Sequence, residues 1–465
     1  MSRNERRAQM WDAAAAVATV GLVALVVLGF APFAAAADGG AVAKARRGPL
    51  RVEAALGHGK LLSGQAQTTH VMIKVQADAD RRRREPVNLA LVIDRSGSMG
   101  GQKMHDAIAA AGALLGQLRD GDVVSVVSFD DGHEVLQAPI EVRGDNLAAA
   151  RAAIARLSAR GGTDMVSGLK DGYAQAALHA GEQRSSRVIL ISDGQPNSES
   201  GLEALVRGAR DHRVTTTTVG IGQDYNERLM TELAQVGAGR YHYVASSSTL
   251  GAVLAGELDR LAGVVARATA VRLFPMQGVA VRRVFGYASS HKAGVTTVDL
   301  GDLAAGQTVT LLAELAVEAG ATRGAGPVAL CDVETRLTSV AGKALATRSR
   351  LSAGLTQDRK EVVASVNRQV AERAVTVVAQ ADLDRAMERW QKGDRAGAEK
   401  IIEERQAALS KDARAMPGAA PAAAAQARVL GGALDEVRKA EQSGRSDAKQ
   451  DAIKRRRADA YEAQL

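Results

Sequence analysis

One apolar stretch that ends in closely spaced oxygen side chains constrains the fold of this chain more than any other feature. Leu89–Ile93 are five consecutive apolar residues, and Asp94, Ser96 and Ser98 follow them. A short apolar run of this kind is typical of a strand that is buried on both faces of a parallel sheet. The oxygens then lie where the strand meets a loop, which is the edge at which open α/β sheets bind ligands.

The types and spacing of these oxygens indicate a metal site. Asp94, Ser96 and Ser98 offer one carboxylate and two hydroxyls at alternate positions. These are hard ligands, which suit Mg²⁺ or Ca²⁺ better than Zn²⁺. Polar atoms at the end of a central strand need a partner, because burying them without one costs free energy. A divalent cation is the simplest partner, and the alternative is that Asp94 is a structural cap without a metal.

The pattern around this stretch predicts three kinds of structure along the chain. From about residue 88 to residue 265, apolar strands alternate with helical segments, which favours a doubly wound, mostly parallel sheet covered by helices on both faces. Short strands with Gly-rich turns follow from about residue 267 and predict an antiparallel β-sandwich. From about residue 357 the chain is rich in Ala and alternating charges, which is typical of helices.

Two strand-like segments stand in front of the predicted α/β domain without an obvious partner. Leu50–Leu56 has strand character, and Thr68–Gln76 partly alternates polar and apolar residues, as a half-buried antiparallel strand does. We expect both to pair with strands of the later β region, so that the α/β domain is inserted in the sandwich rather than simply followed by it. The expected parts are a signal peptide or anchor (1–37), a linker plus β-strands (38–86, with the linker at about 38–49), the α/β domain (87–266), the β-sandwich (267–353) and a helical C-terminal region (354–465).

The N-terminus has the composition of a targeting segment. Arg6 and Arg7 precede the apolar residues 13–33, and Ala35-x-Ala37 follows them, as in a cleaved secretory signal peptide. The apolar segment of about 21 residues is also long enough to span a bilayer, so an uncleaved membrane anchor is the alternative. Either outcome places the rest of the chain outside the cytoplasmic membrane, as a periplasmic, secreted or outward-facing anchored protein.

Charge and cysteine content exclude several classes of site. The net charge is +8, but the dense basic runs 81–84 and 454–457 are not interleaved with aromatic residues, so nucleic acid is not an expected partner. The chain has 1 cysteine, which excludes an internal disulfide and a multi-cysteine metal site. Because Cys331 lies in an apolar stretch, we expect a buried structural thiol.

Two later segments complete the pattern that begins at Asp94. Thr163 lies in a Gly-Gly-Thr-Asp loop, and Asp193 follows another apolar strand in Ile-Ser-Asp-Gly. Together the three segments resemble the metal-ion-dependent adhesion site of a von Willebrand factor type A (VWA) domain, which is Rossmann-like. The flanking β region and helices resemble secreted or membrane-anchored bacterial proteins of this family. The metal ligands that the resemblance implies are Asp94, Ser96, Ser98, Thr163 and Asp193.

The resemblance also implies a function. Such sites hold Mg²⁺, with Ca²⁺ or Mn²⁺ as alternatives, and keep an open position for an Asp or Glu of a partner protein. We therefore expect an extracytoplasmic protein-interaction or adhesion module and not an enzyme. The motif contains no base, and the chain lacks His-Glu-x-x-His, Gly-x-Ser-x-Gly and a Gly-Lys-Ser/Thr phosphate loop.

Two alternative functions stay open. In one, the protein is a structural envelope-assembly protein in which the metal site is only a latch; in the other, it is a non-catalytic partner of a separate ATPase. In some members of the family, the closing helix of the domain shifts when a ligand binds the metal. Here that helix is predicted over Thr249–Val265 and leads directly into the β region.

Overall fold

The structure is a computed structural model, and it describes residues 37–38, 40–79, 84–181, 184–193, 195–222, 226–244, 247–324, 326–415, 417–443, 452–453 and 455–457. Nearly all of the predicted signal or anchor segment, residues 80–83, which include most of the first basic run, and most of residues 444–465 lie outside the described residues. Within the described ranges, no helix is both long and apolar enough to cross a membrane.

The described residues begin with five strands. The strands before the α/β domain are β1 (Ala37–Asp38), β2 (Val42–Arg47), β3 (Leu50–Leu56), β4 (Lys60–Leu62) and β5 (Gln67–Ala77). The strands of the α/β domain are β6 (Val87–Asp94), β7 (Val123–Phe129), β8 (His133–Glu141), β9 (Ser185–Ser192), β10 (Val214–Ile221) and β11 (Tyr241–Val244). Its helices are α1 (Gln102–Leu115), α2 (Ala148–Ala155), α3 (Met165–Ala177), α4 (Leu202–Asp211), α5 (Glu227–Val236) and α6 (Leu250–Ala262).

The remaining elements belong to the β-sandwich and the helical region. The later strands are β12 (Val264–Pro275), β13 (Val279–Phe285), β14 (Ser289–Lys292), β15 (Val295–Ala304), β16 (Thr308–Val317), β17 (Val328–Ser339) and β18 (Ala344–Thr356). The C-terminal helices are α7 (Arg359–Ala364), α8 (Arg368–Gln391), α9 (Arg395–Ala415) and α10 (Ala420–Ser443).

The sheet of the α/β domain has the order β11-β10-β9-β6-β7-β8, and its pairs are parallel except at the edge strand β8. Strand β6 lies near the centre and is buried along its whole length. Leu89, Leu91 and Ile93 pack with α1, α2 and α6 on one face, whereas Ala90 and Val92 pack with α3, α4 and α5 on the other. This confirms the α/β fold class and explains why β6 is an uninterrupted apolar run.

Helix α3 approaches the central strand closely because a glycine faces it. An added Cβ at Gly172 would lie 2.3 Å from Cγ2 of Val92. An alanine at this position would therefore push the helix away from the sheet.

The sandwich consists of a five-stranded sheet, β13-β16-β5-β3-β2, and a seven-stranded sheet built on β18, β17, β12 and β15. Strand β5 pairs in antiparallel register with β16, from Gln67 opposite Val317 to Gln76 opposite Thr308. Strands from both sides of the α/β domain thus belong to one sheet. Where the chain enters and leaves that domain, the N–H of Glu85 donates to the carbonyl of Ala262 at 3.2 Å.

Two segments of the sandwich differ from the expectations above. The expected linker at about 38–49 contains β2, whose pairing with β3 runs from Val42 opposite Ala55 to Arg47 opposite Leu50. Its sequence, Val-Ala-Lys-Ala-Arg-Arg, resembles a linker because only Ala43 is buried. Strand β18 was not predicted either, because four consecutive polar residues, Thr347–Arg350, interrupt both the apolar run and the alternation that mark a strand. It pairs with β17 over most of its length.

The helical region begins at α7 and packs against the sandwich. The helical region predicted from about residue 357 is interrupted between α7 and α8, where the Asn367 side chain accepts hydrogen bonds from the N–H groups of Gln369 and Val370. Val370, Ala374 and other small residues of α8 then pack on the five-stranded sheet. Trp390 lies in a separate core that α8 shares with α9 and α10.

Candidate metal centre

The first loop of the site begins where β6 ends. Asp94 is the last residue of β6, and its side chain is fully buried. Its Oδ1 accepts a hydrogen bond from the Ser96 N–H at 2.8 Å, and its Oδ2 accepts one from the Ser192 hydroxyl at 2.5 Å. A short 3₁₀ turn, Gly97–Met99, follows and leaves Ser98 exposed at the surface. The carboxylate is thus fixed inside, while the loop reaches the solvent.

Backbone hydrogen bonds join the three predicted loops. The Gly97 N–H donates to the carbonyl of Gly161 at 3.0 Å, and the Asn197 N–H donates to the carbonyl of Thr163 at 2.9 Å. The first contact connects the first loop to the second, and the other connects the second loop to the segment after β9.

Side chains link the first loop directly to the third. The Ser98 hydroxyl donates to Asp193 Oδ1 at 2.9 Å, and the hydroxyls of Ser96 and Ser98 are 3.0 Å apart. The structure therefore brings Asp94, Ser96, Ser98 and Asp193 into one hydrogen-bonded group. Thr163 lies in the adjacent loop and is tied to the same edge by its backbone.

Thr163 does not cap the helix that follows it. The N-cap of α3 is Asp164, whose side chain accepts from the Ser167 N–H at 3.2 Å. Asp164 therefore caps α3, and the hydroxyl of Thr163 is not used for this purpose.

Two buried carboxylates share this edge of the sheet. Asp94 and Asp193 are both 0% exposed. Burial raises the pKa of Asp94, hydrogen bonds from Ser192 and Ser96 oppose that rise, and the charge of Asp193 adds to it. Lys103 of α1 compensates part of the negative charge, since its ammonium donates to Asp193 Oδ2 and, at 3.2 Å, to the Ser98 carbonyl. The site is thus built to hold positive charge.

The donor set fits a hard divalent cation. It combines the carboxylates of Asp94 and Asp193 with the hydroxyls of Ser96, Ser98 and Thr163, and oxygen ligands of this kind suit Mg²⁺, Mn²⁺ or Ca²⁺. In the described part of the chain, no group of three or more His, Cys, Asp or Glu residues is placed to hold a metal. A cation at the loops would therefore depend on the hydroxyls as well as on the two carboxylates.

Three further residues of the site were not predicted from the sequence. Ser192 donates to Asp94, Asn197 contacts Thr163 through its backbone and its side-chain oxygen, and Lys103 pairs with Asp193. Ser192 directly precedes Asp193, so its closeness to the site is visible in the sequence once Asp193 is assigned. The contacts of Lys103 and Asn197 depend on how the loops fold over the sheet and have no sequence signal of their own.

Comparison with known proteins supports the fold of this domain. The sequence profile of the von Willebrand factor type A domain matches residues 88–255. These residues form a VWA domain. They include all three loops of the candidate site, from Asp94 to Asp193, and the first part of helix α6.

Two curated relatives are similar to a part of this chain. The uncharacterized protein sll0103 of Synechocystis is 36% identical over 180 residues, which are 38% of this chain and 42% of that protein. The uncharacterized protein YfbK of Escherichia coli is 31% identical over 258 residues, which are 52% of this chain and 44% of that protein. The matched stretch is thus less than half the length of either relative.

A solved structure resembles more of the chain than the VWA domain alone. The structure titled von Willebrand factor type A from Catenulispora acidiphila superposes with a TM-score of 0.66 and 18% identity, covering 86% of this chain and 91% of that one. At this identity the likeness concerns the fold, which extends beyond the VWA domain to most of the chain.

Proposed function

We propose that this protein is an extracytoplasmic interaction or adhesion module that binds a carboxylate of a partner protein through a divalent cation. The cation would be Mg²⁺, or alternatively Ca²⁺ or Mn²⁺. The proposed ligands are Asp94, Ser96, Ser98, Thr163 and Asp193.

The observation that carries this proposal is the joining of three loops around two buried carboxylates next to an exposed turn. Asp94 and Asp193 provide charge from inside the fold, whereas Ser98 is exposed at the surface. When bound, the cation supplies a coordination position that a carboxylate from outside can take. Because three of the five ligands are neutral hydroxyls, the site would keep positive charge available for an Asp or Glu of the partner.

Two further considerations support a binding role over catalysis. VWA domains generally serve as protein-interaction modules, and the proposed donor set contains no base beside its two carboxylates. The extracytoplasmic location rests on the composition of residues 1–37, with either a cleaved signal peptide or an anchor through residues 13–33.

Metal titration of the purified full-length chain tests the site. We expect isothermal titration calorimetry to show Mg²⁺ binding that Asp94→Asn and Ser96→Ala abolish, while circular dichroism shows an intact fold in both variants. Asp145→Asn is the matched control, because Asp145 is exposed and pairs only with Arg151 in the described structure. Parallel titrations with Ca²⁺ and Mn²⁺ identify the preferred ion. Normal Mg²⁺ affinity in both site variants would refute the assignment.

A pull-down from envelope extract tests the partner. Wild type in Mg²⁺ is compared with wild type in EDTA and with Asp94→Asn in Mg²⁺. A protein retained only by wild type in Mg²⁺ is then tested as a purified component, and neutralising its surface Asp and Glu residues should abolish binding. If binding is insensitive to EDTA and to Asp94→Asn, a structural assembly role or an ATPase partner replaces the carboxylate proposal.

A further inference from the structure

A cavity lies between the VWA domain and the sandwich, at the end of the parallel sheet opposite the metal loops. Its volume is about 150 Å³. Its lining includes Arg184, Arg210 and Arg213 from the VWA domain and Arg267, Thr269 and Asp302 from the sandwich. Arg184 directly precedes β9, whereas Asp193 directly follows it, so this strand separates the cavity from the metal centre.

Arg267 is the unusual residue of this cavity. It is 5% exposed, and none of its three guanidinium nitrogens has a hydrogen-bond partner among the residues that the structure describes. Within the same part of the chain, the hydroxyl of Thr269, which is 1% exposed, also has no hydrogen-bond partner. Buried polar groups in folded proteins are nearly always hydrogen-bonded, and a buried charge without a partner costs several kcal/mol. Two such groups on one cavity therefore indicate a missing ligand.

The neighbouring charged groups are engaged with other partners. Arg184 pairs with Glu141 at 3.4 Å, and Arg210 pairs with Asp299 at 3.4 Å. Asp302 accepts a hydrogen bond from the Ala268 N–H at 3.0 Å. These contacts leave the charge of Arg267 without a hydrogen-bonded counterion among the described residues.

The electrostatic surroundings of Arg267 show the same imbalance. Burial lowers the pKa of Arg267, the carboxylates of Asp302 and Glu85 oppose this, and the charge of Arg213 lowers it further. An arginine nevertheless remains protonated in proteins. An anion placed in the cavity would reduce the repulsion between these two cations.

We propose that this cavity binds a small oxyanion, with inorganic phosphate as the best match, through Arg267, Arg213 and the Thr269 hydroxyl. A guanidinium binds the oxygens of phosphate with two parallel hydrogen bonds, and a hydroxyl donates one more. The volume suits one such ion with a few waters. Because its ligands come from both domains, the anion joins the VWA domain to the sandwich. The proposal is independent of the metal site.

Calorimetry of the full-length chain in EDTA provides the test, with phosphate, sulfate and acetate as ligands at matched ionic strength. We expect phosphate to bind wild type, and Arg267→Met to weaken that binding at least roughly tenfold, as loss of a charge-assisted hydrogen bond does. Thr269→Val should weaken it less. The control is Arg151→Met, which removes an arginine that pairs with Asp145 at the surface. Equal phosphate affinity in wild type and Arg267→Met would refute the site, and binding of acetate without phosphate would refute the choice of anion.

Thermal unfolding adds a readout that does not depend on affinity. Phosphate and sulfate stabilise many proteins generally, so the informative quantity is the difference between variants. We expect Arg267→Met to unfold at a higher temperature than wild type without phosphate, because it removes an uncompensated buried charge, and to lose the specific increase with phosphate. A less stable Arg267→Met without phosphate would show that the chain itself compensates the charge, which contradicts the proposal.

Discussion

Arg187 on strand β9 donates a hydrogen bond from Nη1 to Oε2 of Glu257 on helix α6 at 2.7 Å, and the two side chains are 6% and 0% exposed. Thr217 of β10 donates to the same oxygen at 3.0 Å, and His242 of β11 lies 3.0 Å from Oε1. Three neighbouring strands therefore hold the closing helix of the VWA domain through one carboxylate. A shift of this helix upon ligand binding, as the family resemblance suggests, would have to break these bonds.

We expect Glu257→Gln to destabilise the protein by about 3–5 kcal/mol, because it leaves Arg187 buried without a counterion. Urea denaturation followed by circular dichroism measures this change. Glu203→Gln is the control, since Glu203 forms an exposed pair with Arg207 and its loss should cost less than about 1 kcal/mol. Similar costs in the two variants would show that the buried pair does not hold the helix.

The same pair predicts a dependence of stability on pH. Burial disfavours ionisation of Glu257, but the hydrogen bond from His242 and the charge of Arg187 outweigh it, so the pKa lies well below its ordinary value. The stabilisation is therefore complete above the unfolded-state pKa of about 4.3 and decreases as the pH falls further toward the folded-state value. We expect the difference in unfolding free energy between wild type and Glu257→Gln to be smaller at pH 3.5 than at pH 5 and pH 7. A constant gap would contradict the low pKa.

Lys103 should weaken metal binding, because its ammonium pairs with the Asp193 oxygen that a cation would use. We expect Lys103→Met to increase Mg²⁺ affinity by a few-fold to about tenfold, a modest effect because the lysine is partly exposed. Calorimetric titration measures the change, and Lys400→Met, which removes an exposed lysine of α9, is the control. Weaker Mg²⁺ binding in Lys103→Met would instead mean that the lysine supports the site.

The packing of α3 on β6 should tolerate no Cβ at Gly172. We expect Gly172→Ala to destabilise the protein by about 1–2 kcal/mol, since the clash with Val92 exceeds the gain in helix propensity. Gly112→Ala in α1, where an added Cβ meets nothing within 4 Å, should stabilise by about 0.5–1 kcal/mol. Thermal denaturation measures whether each variant is less or more stable than wild type. If Gly172→Ala were as stable as wild type, helix α3 could move away from the sheet without cost.

Cys331 should be inert in the folded protein. Burial raises the pKa of its thiol to about 12, and the thiolate is the reactive form. We expect no alkylation by iodoacetamide at pH 8 until urea unfolds the chain, with mass spectrometry as the readout. The raised pKa also makes the free energy of unfolding depend on pH. The contribution of the neutral thiol to this free energy is complete below the unfolded-state pKa of about 8.5 and is lost as the pH rises beyond that value. Rapid labelling without urea would contradict the burial.

The sequence predicts those features that are encoded over short distances. Buried strands such as β6 and β9 are uninterrupted apolar runs, and the proposed ligands directly follow them, so fold class and candidate site are both visible. The pairing of β5 with β16 was predictable only because β5 lacked a nearer partner. Strand β2 could not be predicted, because its Lys and Arg residues face solvent and its structure depends on pairing with β3. Likewise, nothing in the sequence distinguishes Arg267 from other arginines, since its lack of partners arises from the contact between two domains.

The hydrogen bond between Glu85 and Ala262 has a mechanical consequence. This backbone hydrogen bond of 3.2 Å joins the two ends of the VWA domain, and the chain continues into the sandwich from both ends. Tension along the polypeptide is therefore carried by this hydrogen bond and by the sandwich strands. It does not separate strand β6 of the VWA domain from helix α6. A partner that pulls on the metal edge would load the domain across its sheet instead. Because the VWA domain is inserted in the sandwich, tension along the polypeptide does not unfold the domain that holds the proposed binding site.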